Sequence, residues 1–67
     1  MTKKQLKKFA KDLADLEFVI QTSNDNNEVD LAKEKMIKLT NSANLEFNEI
    51  LELDEIVGDL VRKKLAT

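Results

Sequence analysis

Thr40-Asn41-Ser42-Ala43-Asn44 decides the architecture of this chain. Four of these five residues are poor helix formers, because their short polar side chains compete for backbone hydrogen bonds. The sequence on either side is strongly helical in pattern. If the chain turns here, it forms three helices. If it does not, one helix runs from 28 to 65. Asn44 offers an N-cap for a new helix, with Glu46 in its first turn. Against a turn, the heptad phase continues through the stretch. Val29, Met36, Ala43, Ile50, Val57 and Lys64 share one seam position, and Ala32, Leu39, Glu46, Leu53 and Leu60 share the other. Nine of these eleven residues are apolar, and one of the two failures, Glu46, adjoins the polar stretch. That placement favours a break. The expected fold is all-α, an up-down-up three-helix bundle in a single domain over 1-67, with helices at about 3-22, 28-40 and 45-65. A long helical hairpin that dimerises into a bundle is the alternative.

Upstream, the helix signals are clearer. Thr2-Lys3-Lys4-Gln5 fits a capping box, in which Thr2 accepts from the Gln5 amide and Gln5 reaches back. Leu6, Phe9, Leu13, Leu16 and Ile20 then recur at steps of 3, 4, 3 and 4, one helical stripe that Ala10 widens. Thr22-Ser23-Asn24-Asp25-Asn26-Asn27 ends that helix. Asp25 or Asn27 can cap the next, whose stripe is Val29, Ala32, Met36, Leu39 and Ala43. The third helix has a much broader apolar set: Phe47, Ile50, Leu51, Leu53, Ile56, Val57, Leu60, Val61 and Leu65. Such breadth implies more than one packing neighbour. Gly58 lies inside this helix at a cost of about 1 kcal/mol. It either permits a close helix crossing or is simply tolerated.

Composition narrows the chemistry. The chain has 67 residues, no Cys, no His, no Pro, no Trp and one Gly. Disulfides and thiolate metal sites are excluded, and the commonest general base is missing. No apolar run approaches the roughly 20 residues of a membrane span. The basic start is followed by no apolar signal core, so a cytoplasmic location is expected. Glu46, Glu49 and Asp54 or Glu55 can share a helix face, but acid–base work needs a dry pocket that so small a bundle seldom provides. The oxygen-rich loop at Asp25 fails the Ca²⁺-loop pattern, with Asp30 where Gly is needed and Met36 where Glu is needed. No catalytic residue, cofactor or metal ligand is expected.

Charge falls in blocks. Five Lys and no acid occupy 1–11, six acids and no base occupy 12–30, and six acids and no base occupy 45–59. If the first and third helices lie parallel, the N-terminal lysines approach Glu46, Glu49 and Glu52. Lys4, Lys7, Lys8 and Lys11 form a basic patch at i+3 and i+4 spacing. A phosphate backbone or an anionic membrane surface would suit it. The patch has no Arg fork and no aromatic to stack on a base, and the net charge of −2 draws no nucleic acid. Phe18 lies off the main stripe of the first helix, so a third helix covers it, a second chain covers it, or it is an exposed binding spot.

Two functions follow. The first is a non-enzymatic protein–protein interaction or regulatory module that self-associates as a homo-oligomer or docks on a protein partner. Phe18, Leu53, Leu60 and Val61 are its candidate contact residues. The alternative is a nucleic-acid-binding accessory that uses the basic patch.

Overall fold

Thr2 starts the first helix as its spacing predicts. The computed structural model of the chain describes residues 1–66. The Thr2 hydroxyl accepts from the Gln5 amide at 3.1 Å, and the Gln5 side chain accepts from the Thr2 amide at 3.0 Å. Helix α1 then spans Lys3–Thr22. Its end is closed by the Ser23 amide, which donates to the Val19 carbonyl at 2.9 Å.

The loop that follows is short. The Asp25 carboxylate accepts from the Asn27 amide at 2.9 Å and so caps α2, Asn26–Ala43. Asp25, not Asn27, is the cap, and the helix begins two residues before the expected position 28.

Residues 44–46 break the chain, and the continuous helix from 28 to 65 is excluded. The break lies later than expected, because α2 runs through Thr40, Asn41, Ser42 and Ala43. The Thr40 hydroxyl donates to the Met36 carbonyl and the Ser42 hydroxyl to the Leu39 carbonyl, so both are satisfied on their own helix. Asn44 does not cap the third helix. It ends the second, in the left-handed conformation with φ 51° and ψ 52°. Asn tolerates that region better than other residues with a side chain. Helix α3 spans Phe47–Ala66, so Leu45 and Glu46 lie ahead of it. The Glu46 amide donates to the Glu49 carboxylate at 3.1 Å, the backward half of a capping box.

The three helices form an up-down-up bundle with α1 in the middle. It packs against both α2 and α3, while no Cα of α2 comes within 8 Å of one of α3. Leu6, Ala10, Leu13 and Leu53 are the buried centre, flanked by Phe9, Met36, Leu39, Leu45, Ile56, Val57 and Leu60. Ala10 and Ala14 are fully buried, and their small side chains let α3 approach α1. Helices α1 and α3 run parallel, as two contacts at opposite ends show: Met1 with Glu49 and Asp15 with Lys64.

This arrangement is flat, 34 × 26 × 16 Å. Its radius of gyration is 12.0 Å, against about 11 Å for a compact chain of this length. Its accessible surface is 5154 Å². A folded monomer of 7.7 kDa exposes about 4,300 Å². The chain covers less of itself than its mass allows, because two helices flank the third without closing on each other. Among the described residues, 88% are helical, none is in a strand, and no helix is long and apolar enough to cross a membrane.

Candidate interaction surfaces

Helix α3 carries two apolar faces, and α1 covers only one. Leu53 and Val61 are 3% and 4% exposed, and Leu60 is half-buried against the same core. These three residues, expected at a contact between chains, are packing within the chain. The heptad seam that holds Leu53 and Leu60 is the seam with α1. Val61 lies off that seam and is buried at the edge of the opposite stripe.

The uncovered face is a different stripe. Phe47, Leu51, Asp54, Gly58, Val61 and Leu65 recur at steps of 4, 3, 4, 3 and 4. Phe47 is 74% exposed, Leu51 53% and Leu65 50%. Ile50, beside them, is exposed as well. Of the stripe's apolar side chains only Val61 is buried. The stripe borders an open groove of about 590 Å³ between α2 and α3, floored by Glu17 and Gln21 of α1 and lined by Met36, Gly58, Val61 and Leu65. A Cβ on Gly58 would meet only the Arg62 guanidinium, at 4.0 Å. No helix of this chain crosses α3 closely there.

Phe18 is half-buried and sits on the α3 side of α1, where the third helix covers it. The Lys64 ammonium lies 5.6 Å from its ring centre and also pairs with Asp15. Lys64 is thus an intrachain neighbour of Phe18, whose ring stays partly exposed.

The lysines divide. Lys7 and Lys11 stand on the rim of a second groove, about 600 Å³, floored by Ala14, Ile56 and Leu60. Lys63 and Lys64 complete that rim from the other end of the chain. Lys4 and Lys8 are exposed and stand outside it. Among the described residues, none of the α1 lysines pairs with Glu46, Glu49 or Glu52. The expected pairing across the parallel helices is made by the chain's amino terminus instead. The Met1 ammonium meets the Glu49 carboxylate at 3.0 Å.

Compared with family models, with curated proteins and with solved structures, the chain shows no significant match to any.

Chemistry on the surface is sparse. Among the described residues, no group of three or more acidic side chains is arranged to hold a metal ion. Glu49 has its pKa lowered, first by the hydrogen bond from the Glu46 amide and then by the bond to the Met1 ammonium, while partial burial opposes them. Both partners hold the carboxylate in its charged form, which is a structural role. Phe47, Leu51 and Leu65 stood in the broad apolar set of the third helix, but nothing in the sequence separated them from the residues that α1 covers.

Proposed function

We propose that this chain is a non-enzymatic helical interaction module that associates with itself. The observation that carries the reading is the bare apolar stripe of α3. Phe47, Leu51 and Leu65 are each at least half exposed on a chain whose total surface exceeds what its mass calls for. Water is a poor neighbour for such a stripe, and a second apolar face removes it at about 25 cal/mol per Å². Small scaffolds without disulfides or metals commonly gain stability this way.

Sedimentation equilibrium tests the reading directly. Self-association is expected at micromolar concentration, with a melting temperature that rises with protein concentration. Leu51→Ser should weaken it, because Leu51 is exposed and its loss leaves the intrachain core intact. A single 7.7 kDa species at high micromolar concentration, melting at one temperature throughout, would end the proposal.

A second reading has its own observation. The fold gathers Lys7, Lys11, Lys63 and Lys64 around one groove, although the sequence separates them by most of its length. A phosphate backbone could follow such a rim. Affinity for a nucleic acid that falls steeply between low and moderate salt, and that Lys7→Glu with Lys11→Glu abolishes, would support this reading over apolar docking.

A further inference from the structure

The bare stripe of α3 has a register written into it. Gly58 is the one glycine of the chain, and it stands near the middle of the stripe. Nothing inside the chain requires it: its φ is not positive, and a Cβ would find only a flexible guanidinium at 4.0 Å. Glycine in a helix interior weakens the helix relative to alanine. Gly58 is partly exposed, with Asp54 and the buried Val61 beside it and the exposed Leu51 and Leu65 two turns to either side. A glycine with no intrachain use at that place fits a close approach by another backbone.

Charge runs along the same helix in one direction. Asp54 and Glu55 precede Gly58, and Arg62, Lys63 and Lys64 follow it. Two copies of α3 laid antiparallel and crossing at Gly58 bring residues equidistant from Gly58 into opposition. Leu51 of one copy then faces Leu65 of the other. Arg62 of one copy falls beside Asp54 and Glu55 of the other. Parallel packing would instead set acid against acid and base against base. In the single chain Arg62 pairs with Asp59 at 2.6 Å, but both side chains are mostly exposed. That bond contributes little and is easily exchanged.

We infer that the chain forms a two-fold symmetric dimer through α3, with the helices antiparallel, Gly58 at their crossing and Arg62 reaching Glu55 of the second copy. This rests on the self-association proposed above and names its surface. A two-fold dimer is the commonest closed assembly, and it buries Leu51 and Leu65 of both copies at once, while Phe47 lies beyond the register of the crossing.

The test combines one steric and two charge variants, read by sedimentation equilibrium with circular dichroism as a check on folding. Gly58→Leu should keep its helicity, since the room around Gly58 is open within the chain, and should lose the dimer. Glu55→Lys and Arg62→Glu should each weaken the dimer by about tenfold. The double variant should return to within a few-fold of the original, because the exchanged pair re-forms between copies. Residues 55 and 62 lie two turns apart on one helix and do not meet directly, but Asp59 lies within reach of both. The charge variants are therefore made with Asp59→Asn, so that rescue cannot run through Asp59 within a chain. If the original chain is a monomer at high micromolar concentration, self-association itself fails and this inference with it. If the chain dimerises, yet Gly58→Leu dimerises equally well and the double charge variant shows no rescue, then self-association stands and this surface is wrong.

Discussion

The Lys64 ammonium sits 5.6 Å from the centre of the Phe18 ring, joining the last turn of α3 to the far half of α1. The same ammonium pairs with Asp15, one turn earlier on α1. At the other end of the bundle, Met1 and Glu49 make the corresponding contact. Parallel helices with no loop between them are thus tied at both ends. The cation–aromatic contact should contribute about 0.5–1 kcal/mol at this partly exposed position. A double-mutant cycle of Phe18→Leu and Lys64→Met, read by urea unfolding, should give a coupling energy of that size. A coupling indistinguishable from zero would show that the two side chains are only neighbours.

Asn44 holds the turn on which the three-helix arrangement depends. Its left-handed backbone suits glycine better than any residue with a Cβ. Asn44→Gly should therefore stabilise the chain by about 0.5 kcal/mol, and Asn44→Val should cost on the order of 1–2 kcal/mol. Denaturant melts of the two variants provide the measurement. If Asn44→Val proved neutral, the chain would not be using a left-handed residue there.

Gly58→Ala should raise the stability of the single chain by about 1 kcal/mol. The added methyl meets only the Arg62 side chain, at ordinary van der Waals distance. Thermal unfolding at a concentration too low for association isolates this effect. A loss of stability under those conditions would mean that the backbone at Gly58 has an intrachain partner after all.

Helix α1 was legible in the sequence because its signals agree. The capping box at Thr2, the regular stripe and the polar run after Thr22 each point to the same boundaries. The second break was legible in kind but not in position. Low helix propensity at Thr40, Asn41 and Ser42 suggested an end near 40, yet the hydroxyls of Thr40 and Ser42 turn back onto their own helix. Propensity is a weak prior there, and the left-handed Asn44 sets the end. The contact residues were the least legible part. Leu53, Leu60 and Val61 are as apolar as Phe47, Leu51 and Leu65. Only the seating of α1, through Ala10 and Ala14, determines which set is covered. Gly58 could be read two ways until the space around it was known.

Glu49 makes the fold sensitive to acid in a direction that can be worked out. The Glu46 amide and the Met1 ammonium both favour its charged form, so its pKa in the folded chain lies below the ordinary carboxylate value. In the unfolded chain neither partner is present. The folded state therefore holds the proton less tightly than the unfolded state. The resulting stabilisation is complete above the unfolded value, near the usual carboxylate range, and is lost as the pH falls through the folded value. Glu49→Gln removes the charge at every pH. The original chain should be more stable than this variant at neutral pH, and the gap should narrow as the solution is acidified below the carboxylate range. The gap should also shrink when the amino terminus is acetylated, which removes the Met1 charge but leaves the Glu46 amide in place. Urea titrations of the two proteins across the acid range, with and without acetylation, provide the comparison. A gap that stays constant into acid would mean that Glu49 stabilises the start of α3 through shape alone.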